Sequence, residues 1–198
     1  MSFLKEFDEK YAPKLGKRKG TFRRMFELME ERLQENKALN IIETGCARIH
    51  GNWEGDGQSS VMMDRFVHHH NACKLDIYDI SPTSIACCRQ LVGHPNTTLH
   101  CEDSVKGLWA YEKPVDVLYL DSYDVDFNKP HPSAFHHIKE LCAIMRHLAP
   151  GAIVMVDDNE NGKGKGQYIH DFMLNIGAEV VMSEYQILFQ LPANQITQ

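Results

Sequence analysis

Acids at the ends of short apolar runs carry the chemistry of this chain. Asn40-Ile41-Ile42 runs into Glu43-Thr44-Gly45, and later apolar runs end at Asp79, Glu102-Asp103, Asp121 and Asp157-Asp158. In an open parallel α/β sheet, ligands sit in the crevice beyond the carboxyl ends of the strands. These ends would gather carboxylates, and a backbone that glycine allows to come close, around one bound molecule. Such an arrangement suits a ligand rich in hydroxyl and amine donors. Asp121 and Asp157-Asp158-Asn159 end consecutive strands, so their oxygens would share one coordination sphere. A hard divalent cation such as Mg²⁺ takes oxygen ligands of this kind.

The elements that must position these acids show as alternating patterns. Strands are expected at 40–44, Lys74–Asp79, Thr97–Cys101, Val115–Leu120 and 152–156. Thr21 is placed to cap a helix whose Phe22, Met25, Phe26, Met29 and Leu33 recur at helical spacing, covering one sheet edge. Ser59 or Ser60 opens a helix with Met62, Phe66 and Val67, Pro82 opens one that Gly93 ends, and Pro132 opens one that stops at Pro150-Gly151. A last helix, carrying Tyr168, Ile169, Phe172, Met173 and Ile176, ends at Gly177. The final runs, 179–182 and 185–191, are joined too tightly for a crossover, so they pair antiparallel or form one bent ribbon. Residues 1–20, charged and broken by Pro13, Gly16 and Gly20, predict a loosely packed arm or a short helix plus loop. The whole reads as α/β, a three-layer sandwich, with an N-terminal arm and covering helix at 1–37 and the main domain at 38–198.

The 198 residues suffice for one domain with a sizeable core. A net charge of −6, with Lys and Arg concentrated before residue 40, argues against a general nucleic-acid binder, which needs a basic face. A small-molecule partner is expected instead. Cysteines at 46, 73, 87, 88, 101 and 142 form no CxxC pair and no apolar leader opens the chain, so reduced, mostly buried thiols in a cytoplasmic protein are expected. No apolar run approaches the roughly 20 residues that span a bilayer, so no membrane partner is expected. The Met-rich face of the first long helix is a candidate homodimer contact.

In their joint order the acids make the chain resemble the class I S-adenosylmethionine-dependent methyltransferases, over roughly residues 38 to 191. The resemblance implies a Rossmann-like, seven-stranded, mostly parallel sheet with a terminal antiparallel strand, and S-adenosyl-L-methionine as cofactor. It implies that Glu43 and Gly45 approach the methionine part of the cofactor and that Asp79 accepts from the ribose hydroxyls. Asp103 and Ser104 would stand near the adenine amine, with Asp121 also beside the cofactor. The first loop departs from the family by an insertion at 48–57. Gly57-Gln58-Ser59-Ser60 resembles the helix start of sugar-modifying members, which adds Gly57 and Ser59 to the cofactor set. Trp53, inside the insertion, either closes over the site as a lid or pins the loop to the surface.

Asp121 followed by Asp157-Asp158-Asn159 is similar to the metal-dependent O-methyltransferases, both the catechol type (Asp, then Asp-Asn) and the macrolide-sugar type (Asp, then Asp-Asp). This implies Mg²⁺ or another divalent cation on Asp121 and Asp158, with Asp157 and Asn159 competing for the third place. In that mechanism the cation binds two neighbouring acceptor oxygens, acidifies the attacked hydroxyl and aligns it with the sulfonium methyl. Related enzymes place a Lys or His three residues after the first metal Asp. Here Asp124 stands there, as a base, a fourth oxygen ligand or a mark of different chemistry. His131 is a second base candidate.

A dinucleotide oxidoreductase needs its glycines directly after the first strand, whereas about ten residues intervene here and Ser60 replaces the third Gly or Ala. A non-catalytic interaction module would leave clustered carboxylates uncompensated. The expectation is therefore an O-methyltransferase acting on a small hydroxylated molecule such as a sugar, polyketide or phenolic. His68-His69-His70 reads as a solvated helix end, and Gly162-Lys163-Gly164-Lys165-Gly166 as a flexible surface loop.

Overall fold

Side chains alternate along each strand, so one sheet builds two cores. In the computed structural model, which describes residues 2–193, Ile41 packs into one core and its neighbour Ile42 into the other. The strands are β1 (Asn40–Thr44), β2 (Lys74–Asp79), β3 (Thr97–Cys101), β4 (Val115–Leu120), β5 (Leu148–Val156), β6 (Glu179–Ser183) and β7 (Ile187–Gln190). They form one sheet in the order β3-β2-β1-β4-β5-β7-β6. β1 to β5 run parallel, and β7 lies antiparallel to both β5 and β6. The helices are α1 (Phe3–Glu6), α2 (Lys19–Glu35), α3 (Trp53–Asp56), α4 (Ser59–His69), α5 (Pro82–Leu91), α6 (Ser104–Trp109), α7 (His131–Ile144) and α8 (Ile169–Asn175). The first core joins α1, α2 and α4 to Ile41, Leu75, Val117 and Ile153; the second joins α6, α7 and α8 to Ile42, Leu118, Leu120 and Val154. This is the three-layer α/β sandwich expected, with seven strands and one antiparallel strand near its end.

Of the two readings of the N-terminal segment, the structure takes the short helix followed by turns, but packs it tightly. Ser2 accepts from Lys5 N to cap α1, a π-helical turn follows at Phe7–Tyr11, and two 3₁₀ turns at Ala12–Lys14 and Gly16–Arg18 lead into α2. Phe3, Phe7, Tyr11 and Leu15 recur every four residues, a helical stripe that survives the intervening charges, and all four are buried. Phe3 packs at 4.7 Å from Phe26 and 5.1 Å from Phe66 between ring centroids. α2 begins at Lys19, before Thr21, whose hydroxyl bonds back to the Arg18 carbonyl instead of capping. Met25 and Met29 are fully buried against the sheet, so the Met-rich face proposed for a dimer is used within the chain. Of the six cysteines only Cys73 and Cys88 are buried, and Cys101 and Cys142 are exposed. Among the described residues no helix is long and apolar enough to cross a membrane. Residues 194–198 of the expected domain lie outside the described ones.

The strand register sets the site. Thr44 pairs with Tyr78 on one side and Leu120 on the other, and Leu120 pairs with Val156. The next residue along each of these strands is therefore Gly45, Asp79, Asp121 or Asp157, side by side at the carboxyl edge. β1 and β4 are the adjacent strands from which the chain winds in opposite directions, the topological switch point where such sheets bind ligands.

Candidate functional site

Gly45 turns sharply at the switch point, with φ +79°, and a Cβ there would stand 2.4 Å from the Asp121 carbonyl oxygen. Only glycine lets β1 end so close to β4. Beyond these ends lie two cavities of about 220 and 300 Å³ that share Gly45, Asp79, Ile80 and Ser122. The smaller is polar, walled by Arg18, Arg48, Asp121, Asp157, Asp158 and Lys165. The larger is more apolar, with Tyr78, Tyr123, His136, Asp103 and Ser104.

Asp79 borders both cavities. Its Oδ1 accepts from Ser81 N at 2.7 Å, and its Oδ2 accepts from Cys46 Sγ at 3.4 Å. Asp103 caps α6, accepting from Lys106 N at 2.9 Å, and Ser104 follows it into the larger cavity. Below them lies a buried carboxylate that sequence reasoning missed. Glu140 of α7 accepts from Ser122 at 2.7 Å, from Thr44 at 3.2 Å and from Ser104, and it pairs with His136 at 3.3 Å. Burial pushes Glu140 up, but His136 and His137 outweigh it and hold the carboxyl below its ordinary range. This network ties β1, β4, α6 and α7 into one floor.

Three of the expected cofactor residues stand behind the cavity walls. Glu43 is buried, accepts from the Ser59 hydroxyl and leaves Oε2 without a partner among the described residues; burial pushes its carboxyl well up. Ser59 is spent on that contact. Gly57 ends α3 with φ +69°, and a Cβ there would meet Arg18 Cδ at 3.2 Å. Gly55 lines the polar cavity instead.

The acidic centre forms as the strand order requires. Asp121, Asp157 and Asp158 bring ligand oxygens within 4.8 Å of one another. Asp157 stands in this cluster, whereas Asn159 is buried with its Oδ1 close to Gly166 and borders neither cavity. Positive charge already fills the centre. Lys165 Nζ stands 2.5 Å from Asp121 and 3.0 Å from Asp158, and Arg18 bonds Asp157 at 2.9 Å and Asp158 at 3.1 Å. Burial pushes Asp121 well up against the pull of Lys165, with Asp157 and Asp158 adding to the rise. Asp158 is held below its ordinary range because Lys165 and Tyr185 outweigh its burial. The donor oxygens suit a divalent ion, but the ammonium bonded to two of the three acids takes its position. The centre as folded does not fit Mg²⁺.

The two base candidates part company. Asp124 borders the polar cavity and receives both bonds of Arg48 Nη1, at 2.9 and 3.0 Å. His131 begins α7, exposed, with Nδ1 at 2.6 Å from the Tyr168 hydroxyl, and borders neither cavity. Trp53 stacks on Tyr11 at 5.4 Å with Lys14 over its ring at 4.8 Å, so it pins the inserted loop, and it borders neither cavity. His69 and His70 pair with Glu6 and Glu30 at 2.7 and 3.1 Å, tying α4 to α1 and α2.

Arg18 and Lys165 are site residues that the sequence reading assigned to an arm and a surface loop. The signal for Lys165 was its flanking glycines. A Cβ on Gly164, at φ +120°, would stand 1.9 Å from the Asp158 carbonyl, and one on Gly166 would stand 2.6 Å from Asn159 Oδ1.

By sequence, no family model and no curated protein matches the chain. By structure it is similar to the O-methyltransferase NovP, with TM-score 0.57 and 13% identity over 85% of this chain and 79% of that one. The N-methyltransferase NodS from Bradyrhizobium japonicum matches at TM-score 0.53 and 15% identity, over 87% of this chain and 96% of that one. MycE methyltransferase of the mycinamycin biosynthetic pathway, in complex with Mg, S-adenosylhomocysteine and mycinamycin VI, matches at TM-score 0.52 and 14% identity. That match covers 79% of this chain and 45% of MycE. At these identities the likeness shows the fold, the Rossmann-like fold of methyltransferases.

Proposed function

We propose that the chain transfers the methyl group of S-adenosyl-L-methionine to a hydroxyl of a small molecule such as a sugar, polyketide or phenol. One observation carries this reading. The register sets Asp79 and Asp121 on either side of Gly45, so one carboxylate faces both cavities while the other faces the polar one alone. The residues fit the cofactor. Asp79 would accept from the ribose diol, Asp103 and Ser104 would meet the adenine amine, and the exposed Ile80 and Tyr123 would flank the ring. The cofactor supplies a methyl group on a sulfonium, open to displacement by an oxygen.

The chain's own part is orientation and charge. The polar cavity takes the acceptor, with the Asp121–Lys165 pair at its base and Arg48 and Asp124 at its rim. Asp124, tethered by Arg48 at the cavity rim, would take the hydroxyl proton. No step is assigned to Mg²⁺.

Calorimetry with S-adenosylmethionine and S-adenosylhomocysteine tests the reading. Both should bind, and Asp79→Ala should weaken them by about 30-fold or more, since hydrogen bonds to a charged group contribute roughly 1.5–3 kcal/mol each. Failure of the wild type to bind either would refute the proposal and leave an interaction module.

A further inference from the structure

The disagreement between the acidic centre and Mg²⁺ identifies what stands in the ion's place. Lys165 is 2% exposed along its side chain, although it lies in the Gly-Lys-Gly-Lys-Gly stretch of the sequence. An ammonium has three donors. Asp121 and Asp158 use two of them, at 2.5 and 3.0 Å, and Lys165 borders the polar cavity, which leaves the third for a ligand oxygen there.

The backbone around Lys165 is shaped for this position. Lys165 N donates to the Asp158 carbonyl at 3.1 Å, and the two flanking glycines leave no Cβ to hold the loop away from Asp158 and Asn159. Arg18 completes the compensation, bound to Asp157 and Asp158. Asp121, Asp157 and Asp158 thus already face two cations of the chain's own. A divalent ion added to this set would leave an excess of positive charge and would have to displace the ammonium.

We propose that Lys165, with Arg18, holds the place that a divalent cation holds in the metal-dependent O-methyltransferases, and that its third N–H receives the acceptor oxygen. Methyl transfer by this chain is then independent of metal. The acceptor contact rests on the methyltransferase reading above, whereas the charge balance rests on the ion pairs alone.

Mn²⁺ is the probe, read by loss of its free-ion electron paramagnetic resonance signal, with and without saturating S-adenosylhomocysteine. The wild type should take up no Mn²⁺ at micromolar concentrations. Lys165→Ala should bind one ion per chain, about tenfold or more tightly than the wild type, because three carboxylates then face a single remaining cation. Circular dichroism checks that the alanine variant folds. Stoichiometric uptake by the wild type overturns the proposal, and that arm decides even where a variant does not fold. Absence of uptake by a folded Lys165→Ala also overturns it, since the acids then do not form a cation site. Once an acceptor is found, loss of wild-type activity on treatment with a chelator overturns it as well. The methyltransferase reading fails separately, through absence of S-adenosylmethionine binding, and leaves the Mn²⁺ outcome unchanged.

Discussion

Replacing Arg18 by alanine tests whether the N-terminal segment is a working part of the acidic centre. The guanidinium donates to Asp157 at 2.9 and 3.0 Å, to Asp158 at 3.1 Å and to the Glu54 carbonyl at 2.8 Å, and it lies 4.7 Å from the Tyr185 ring. Burial works against the Arg18 charge, yet Asp157 outweighs it and holds the proton more firmly than usual. Asp157 is 1% exposed, so loss of Arg18 leaves a buried carboxylate without its partner. Breaking a buried pair from one side costs about 3–5 kcal/mol. Lys165 remains nearby, which sets the expectation at the lower end. With a urea slope of roughly 2 kcal/mol per molar, the unfolding midpoint should fall by about 1.5 M. The double variant Arg18→Ala/Asp157→Asn removes the orphaned charge, so it should be more stable than the two single losses predict, by about 2 kcal/mol. Equilibrium urea unfolding followed by circular dichroism reads both quantities. A midpoint shift in Arg18→Ala below about 0.5 M, or strictly additive losses, would refute the reasoning, because a buried pair cannot be broken so cheaply.

Two further outcomes follow from the same region. Gly164→Ala should destabilise the chain by about 2–4 kcal/mol and lower Tm by about 5–12 °C, because its φ of +120° and the 1.9 Å approach to the Asp158 carbonyl both exclude a Cβ; an unchanged Tm in a thermal scan would contradict the packing of Lys165. Burial holds the fully buried His137 down to about 4 from an ordinary 6.5, so it binds a proton more readily unfolded than folded. Its contribution is complete above pH 6.5 and is lost as pH falls from 6.5 to about 4, by up to about 3 kcal/mol. His137→Asn should flatten that limb of the stability profile, and a parallel slope in both proteins would count against the assignment.

Where a strand's apolar run and its paired length coincide, the sequence was enough. Lys74–Asp79, Thr97–Cys101 and Val115–Leu120 are the strands observed, and with them come the positions of Asp79, Asp103 and Asp121. Ser104–Trp109 is only six residues long, too short to display a helical period, and it was missed, as was the single turn Trp53–Asp56. The stripe Phe3, Phe7, Tyr11 and Leu15 was legible in principle but hidden by the lysines and acids between its members. Arg18 and Lys165 were illegible for a different reason. Charged residues are usually solvated, and the pairing of Arg18 with Asp157 spans 139 positions, beyond any local pattern. Only glycines hinted at it, Gly57 beside Arg18 and Gly164 and Gly166 beside Lys165, each recording a backbone approach that the partner's burial requires.

The two cations also explain why the sheet and its N-terminal extension act as one unit. Arg18 arrives from the turn before α2 and Lys165 from the loop after β5, and they meet only at Asp158, which each contacts directly. Lower on the same helix, Arg32 binds Asp116 at 2.8 Å, and the other oxygen of Asp116 accepts from Asn40 N at 2.9 Å where β1 begins. α2 is thus fixed by an ion pair near each of its ends, a buried one beside the cavity and a part-buried one at the amino edge of the sheet. A shift of α2 along its axis would strain both pairs together. Residues 2–37 are therefore no detachable arm, because removing them takes away one of the two cations that face the acids, along with part of the apolar cover of one sheet face.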